Sequence, residues 1–150
     1  MVAEQTNNIF LINPFITSIE RYGRNVGEIG GHQMPLGIFY LAAYLQRHGE
    51  RVEVLDAEAQ LLEHETVVAI LKAARAKIVG ITATTVAFRN ARSLAEMIRT
   101  ELPGVVIVIG GPHLTALAAT TMQCGAFDYG IVQEGEVPFL QLVKHLLHGE

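Results

Sequence analysis

Three loops carry the residues of this chain that could do chemistry. Thr82, Ala83, Thr84 and Thr85 follow one apolar run, Gly110, Gly111, Pro112 and His113 follow a second, and Glu134, Gly135 and Glu136 follow a third. Hydroxyls and bare backbone amides can line a deep slot, satisfy amide or phosphate groups of a ligand and leave room for a flat ring system. Paired glycines let backbone approach a ligand or a neighbouring element with no Cβ in between. The same residues have plainer uses: Thr82, Thr84 or Thr85 can cap a following helix, and Gly-Gly-Pro is ordinary turn chemistry. Glu134 and Glu136 flank a glycine and could exchange protons, but no nucleophile accompanies them. They are read as positioning a ligand or starting a helix.

Metal and polyanion chemistry find less support. His32, His48, His64, His113, His145 and His148 form no ligand cluster at close spacing, and His145 and His148 suit a helix end, where imidazole meets the carbonyl dipole. The single cysteine, Cys124, can make no internal disulfide, Cys-rich zinc site or iron–sulfur cradle, and is read as a packing residue. A net charge of -4 with 11 scattered Lys and Arg gives no basic stripe, so nucleic-acid binding is not expected. No apolar stretch approaches the roughly 20 residues of a membrane-spanning helix, and the first eight residues are polar rather than signal-like. A cytoplasmic protein is expected.

The elements that must position those loops alternate. Apolar runs at residues 8–13, 51–56, 77–82, 105–110 and 128–133 predict five strands, separated by amphipathic stretches. This rhythm predicts a doubly wound α/β fold: one parallel sheet covered on both faces by helices, with right-handed crossovers. At 150 residues, half of them apolar, the chain is expected to form a single domain, residues 1–150. Pro35 suits a first helical position, with Leu36, Phe39, Tyr40, Ala43 and Tyr44 recurring on one face before Gly49. Val67, Ile70, Leu71 and Ala74 mark a second helix. Ala87, Ala91, Leu94, Ala95 and Ile98 mark a third, which stops before Pro103. Residues 114–124 predict a short or irregular helix, and Phe139, Leu142, Val143 and Leu146 face inward from a last helix ended by Gly149.

Ligands of such sheets gather beyond the carboxyl ends of the strands, where strand order reverses. Asn13 and Pro14 end the first strand there. The long connection from Pro14 to Met34, read as lacking structure of its own, is expected to cover a ligand or a partner surface. A dinucleotide site is excluded because Asn13-Pro-Phe-Ile16 stands where a Gly-x-Gly-x-x-Gly turn is needed; Asp56 is read as a cap. No P-loop is present. A phosphoacceptor receiver fails as well, since Asn13, Thr82 and Gln133 occupy the places of its acids and lysine.

With Pro35-Leu-Gly-Ile-Phe-Tyr-Leu-Ala-Ala-Tyr-Leu45, Val54-Leu-Asp56, Val79-Gly-Ile-Thr82, Val108-Ile-Gly-Gly-Pro-His113 and Glu134-Gly-Glu136 in hand, the chain resembles the amino-terminal cobalamin-binding domain of B12-dependent radical S-adenosylmethionine proteins, the group that includes anaerobic magnesium-protoporphyrin IX monomethyl ester oxidative cyclases. The resemblance implies a flavodoxin-like three-layer sheet of order 2-1-3-4-5, with corrin over the strand ends and the nucleotide tail between loops. It implies cofactor contacts from Asn13, Pro14, Thr82, Ala83, Thr84, Thr85, Gly110, Gly111, Pro112, His113, Glu134, Gly135 and Glu136, and no catalytic residue. Cobalamin domains of the mutase type donate a histidine to cobalt from Asp-x-His-x-x-Gly; here Gly30-Gly-His-Gln-Met-Pro-Leu-Gly37 lacks the Asp and the spacing. Base-off cobalamin with no protein imidazole is therefore implied, His32 being a minor candidate ligand. A 4Fe–4S cluster and S-adenosylmethionine would belong to a radical domain outside this chain, whose three-cysteine motif is missing here. The finish at His148-Gly-Glu150 is expected to be a truncation, and a homodimer stays compatible with the sequence. Alone, the chain is expected to turn over nothing, the parent being a methyltransferase or oxidative cyclase. The alternatives are a regulatory or interaction domain that has lost the cofactor and, weaker, a small transferase using Glu134 and Glu136.

Overall fold

A computed structural model describes residues 9–26 and 33–150. Five parallel strands, β1 (Ile9–Asn13), β2 (Val52–Asp56), β3 (Ile78–Thr82), β4 (Val106–Gly110) and β5 (Tyr129–Gly130), form one sheet in the order 2-1-3-4-5. The helices are α1 (Ser18–Tyr22), α2 (Leu36–Arg47), α3 (His64–Ala73), α4 (Phe88–Glu101), α5 (Pro112–Met122) and α6 (Glu136–His148). The expected doubly wound fold is present.

Strand side chains alternate between two cores, as a period of two requires. Phe10, Ile12, Val79, Ile81, Ile107 and Ile109 pack against α3, α4 and α5, while Ile9, Leu11, Ile78 and Val108 face α2 and α6. Helix α4 buries Ala91, Leu94, Ala95 and Ile98, the stripe predicted from spacing.

Four expectations need correction. The Pro14–Met34 connection holds a helix of its own, α1: the Thr17 hydroxyl accepts from the Glu20 amide while the Glu20 carboxylate accepts from the Thr17 amide. That reciprocal bond is a capping box, and it offsets the intrinsic weakness of so short a helix. Pro35 precedes α2 as its N-cap, with a non-helical ψ of 72°. The buried face of α2 is Ile38, Ala42 and Leu45; Leu36, Phe39 and Tyr40 are exposed. This helix is apolar nearly all round, so spacing alone could not choose its inner face. Finally, β5 has two residues rather than six. Below it the Asp128 carboxylate takes the Ile107 amide at 2.7 Å in place of a backbone partner, and above it the chain turns away through Gln133, whose φ is +60°.

The irregular helix expected at residues 114–124 is α5, kinked at Leu117 with φ −134° and ψ 42°. Helix α6 ends at Gly149, in left-handed conformation.

Candidate functional site

The strand ends are tied to one another by backbone. The Ala83 amide donates to the Gly110 carbonyl at 3.1 Å, and the His113 amide donates to the Ala83 carbonyl at 3.0 Å. Gly111 fits this seam for two reasons. Its φ is +95°, and a Cβ there would lie 2.6 Å from Thr82 Oγ1 and 2.9 Å from Ala83 N and O. The bareness of Gly111 is thus required by a neighbouring loop rather than by open space for a ligand. Thr115 extends the seam: its hydroxyl accepts from the Gln133 amide at 3.0 Å and donates to the Gly111 carbonyl at 3.2 Å.

Two cavities meet at this rim. The first, of ≈ 180 Å³, runs down between the sheet and the α2 and α6 helices. Leu11, Gly80 and Val108 share one register across β1, β3 and β4 and lie beneath it. A Cβ on Gly80 would come 2.7 Å from Leu11 Cδ2 and 3.4 Å from Phe139 Cζ, so the bare backbone lets those two side chains lie low. Ile38, Leu41 and Ile131 complete its apolar walls, and Thr82, Gln133, Glu134 and Glu136 reach it from the strand-exit level. The second cavity, of ≈ 500 Å³, lies over the strand ends and is lined by Asn13, Ile16, Arg21, Met34, Glu58, Thr84 and Pro112 among others. Gly37, Ile38, Thr82 and Gly111 line both.

One wall of the second cavity is charged and internally paired. Arg21 pairs with Glu58, the Asn13 side-chain Nδ2 donates to Asp56 at 2.9 Å, and Asp56 also accepts from the Ala59 backbone amide at 3.2 Å. Asp56 is therefore the cap that the sequence suggested. Helix α1 is pinned by Glu20, which takes Arg89 at 3.0 Å and Asn90 at 3.2 Å. The Thr17 amide, with help from Arg89, the Thr17 hydroxyl and Asn90 and against partial burial, holds the Glu20 carboxyl down at about 2.

Of the residues singled out in the sequence, Asn13, Thr82, Thr84, Gly110, Gly111, Pro112, Glu134, Gly135 and Glu136 line one cavity or both. Pro14, Ala83, Thr85 and His113 line neither. Pro14 and Ala83 are buried. His113 is buried behind the seam, stacked on Phe88 with ring centroids 4.0 Å apart and with Nδ1 3.3 Å from Thr85 Oγ1. Thr84 also accepts from the Ala87 amide at 3.3 Å, so it caps the turn into α4 and faces the cavity at once. His32 lies outside the described residues. Among those described, no histidine lines either cavity, and no cluster of three or more metal-ligating side chains occurs.

The residues that sequence reading missed come mostly from α2. Gly37 is the most informative. It stands in the first turn of a helix, where glycine costs up to about 1 kcal/mol relative to alanine, and an added Cβ would meet no atom of the described residues within 4 Å. No packing demand among the described residues explains it.

A sheet of this order, with an apolar slot beside its central strands opening into a polar-rimmed hollow over their carboxyl ends, defines a ligand-binding domain of the doubly wound α/β class. Residues 24–143 match the B12 binding domain family, and the chain belongs to it. It is 35% identical over 142 residues to an uncharacterized methyltransferase of Pyrococcus horikoshii, a match spanning 94% of this chain and 29% of that protein. It is 32% identical over 130 residues to the anaerobic magnesium-protoporphyrin IX monomethyl ester cyclase of Rubrivivax gelatinosus, spanning 85% of this chain and 23% of that enzyme. In structure it resembles OxsB, a cobalamin-dependent S-adenosylmethionine radical enzyme solved with aqua-cobalamin bound, at a TM-score of 0.75 and 16% identity over 95% of this chain and 19% of that one. The chain thus spans less than a third of each of these proteins. Among the described residues no helix is long and apolar enough to cross a membrane.

The residues present fit a corrinoid. The hollow and the slot share four lining residues, as a ring with a tail requires, and the one helical glycine at their junction leaves open the space that a side chain would take.

Proposed function

We propose that this chain is the cobalamin-holding domain, residues 1–150, of a longer radical S-adenosylmethionine protein, and that it presents cobalt to a catalytic domain carrying a 4Fe–4S cluster and S-adenosylmethionine. The observation that carries this reading is the junction of the two cavities at Gly37, Ile38, Thr82 and Gly111. The corrin ring would rest in the upper hollow beside Asn13, Thr84 and Pro112. The nucleotide tail would descend past Thr82, Gly110 and Gly111 into the slot closed by Glu134, Gly135 and Glu136. Ala83, Thr85 and His113 would act from behind, by fixing the two loops that form the seam, and Pro14 by its buried place after Asn13. Bound cobalamin would supply a cobalt centre able to accept and pass on a methyl group or an electron. The named relatives support methyl transfer or ring cyclisation as the parent's reaction, and their greater length supports a fused catalytic domain.

In this reading the cofactor would be held base-off with no protein imidazole on cobalt, as the resemblance implies. Titration of the chain with aquacobalamin, followed in the visible spectrum, tests it. Saturable one-to-one binding with a base-off band shape is expected, unchanged in His32→Ala. A spectrum that never departs from that of free cobalamin defeats the proposal, and a shift in the His32→Ala protein defeats its no-imidazole part.

A further inference from the structure

The slot has a chemical character that selects among tails. Its side walls and floor are Leu11, Ile38, Leu41, Val108, Ile131 and Phe139, all aliphatic or aromatic, and its polar lining is confined to residues at or beyond the strand exits. Three strands contribute to the floor at one register, Leu11 beside Gly80 beside Val108, and no polar side chain enters that row. The strand carbonyls and amides beneath are held in the ladders of a central sheet, so they offer nothing to a ring lying above them. A dry apolar cavity of about 150 Å³ is known to take a benzene ring. This slot, at ≈ 180 Å³ and open at the top, has room for a flat ring system of somewhat larger area.

We infer that this domain discriminates between corrinoids by the base at the end of the nucleotide tail, accepting a methylated benzimidazole and rejecting adenine. The inference rests on the cobalamin reading above and adds the specificity of that same site. A dimethylbenzimidazole presents only carbon and hydrogen along the edge that would go deepest. Adenine presents ring nitrogens and an exocyclic amine, which water satisfies outside and which Leu11, Leu41, Val108 and Phe139 leave unpaired inside. An apolar pocket rejects an analogue of similar size that carries added polar groups by up to about a hundredfold.

The test is a parallel titration of the chain with three corrinoids: cobalamin, the cobamide carrying adenine, and cobinamide, which has no nucleotide tail. Dissociation constants come from the visible spectrum and from calorimetry. Cobalamin is expected to bind at least about tenfold more tightly than the adenine cobamide. Leu41→Gln, which sets an amide in the side wall, is expected to narrow that ratio by weakening cobalamin and strengthening the adenine form. Equal affinities for the two cobamides, or a preference for adenine, overturn the inference while leaving cobalamin binding intact. Cobinamide binding as tightly as cobalamin also overturns it, since the slot then holds no tail. Failure of all three corrinoids to bind defeats the cobalamin reading itself, a result distinct from the other two. The comparison on the unaltered chain decides the matter even where Leu41→Gln fails to fold.

Discussion

Across the sheet from one another, the two helical layers differ in how completely they are filled. Under α3, α4 and α5 the described residues include 21 buried core members, whereas under α2 and α6 they include 11; a third helix and the loop residues Ala57, Ala76, Ala83, Val105, Ala126 and Phe127 supply most of the difference, and the slot lies on the smaller side. The strands place the slot on that side. On the filled face β3 and β4 present Val79, Ile81, Ile107 and Ile109 up to their carboxyl ends; on the other they run from Ile78 and Val106 through Gly80 and Val108 to Thr82 and Gly110. Side chains shrink and turn polar along one face only. A central strand buried on both sides can thus serve as core on one side and as site on the other, at two-residue intervals.

Substitutions can break or sharpen this contrast. The largest effect is expected at the seam between the faces: Gly111→Val forces a branched residue into φ +95° and into overlap with Thr82 and Ala83. A loss of roughly 2–6 kcal/mol of stability is expected from strain and overpacking together, read as a drop in the urea midpoint, along with loss of ligand binding. A merely local effect, with stability retained, would show that the seam yields. On the filled face, Leu94→Ala is expected to cost roughly 2–5 kcal/mol, because Leu94 is fully buried and surrounding core relaxes only partially into such a hole. Leu41→Ala, at the wall of the slot, should cost clearly less in the same denaturation experiment, since much of its surface already faces open volume. Equal costs would erase the distinction between the faces.

Gly37→Ala inverts the usual sign. The empty domain should gain up to about 1 kcal/mol from better helix propensity, while cobalamin affinity falls because the new methyl enters the space shared by slot and hollow. Thermal unfolding and titration of the same sample separate the two effects. The smallest effect concerns the α1 cover. Glu20 is depressed from 4.5 to about 2, so the stability it contributes is present above the unfolded value and is lost as pH falls through the folded one. Comparing the unaltered chain with Glu20→Gln between pH 6 and pH 2 should show a difference that shrinks over the lower half of that range; a difference constant with pH would rule out the carboxylate as its source.

The fold was legible because β1, β3 and β4 are unbroken apolar runs, and α4 alternates cleanly between Ala or Leu and polar positions. The inner face of α2 was not, since Leu36, Phe39 and Tyr40 look as buryable as Ile38 and Leu45 until the sheet chooses between them. The Thr17-x-x-Glu20 signature of α1 stood in the sequence but marks a helix too short to show apolar periodicity. For the site, strand-exit residues could be named because parallel sheets put ligands there. Gly37, Leu41, Gly80 and Phe139 could not, because a residue that shapes a cavity by being small, or by lying low beside one that is, has the same sequence signal as ordinary core. Only the register that sets Leu11, Gly80 and Val108 side by side makes them a floor.

That floor bears on how durable the empty domain is. With a cavity left between the sheet and two helices, packing on that side is incomplete, and whatever settles there would complete it as a foreign part of the hydrophobic core. Occupancy at a hundred times the dissociation constant would deepen the folded well by about 2.7 kcal/mol. Heat resistance in this domain would then track the supply of its guest, so that chains made in a starved cell are the first to unfold.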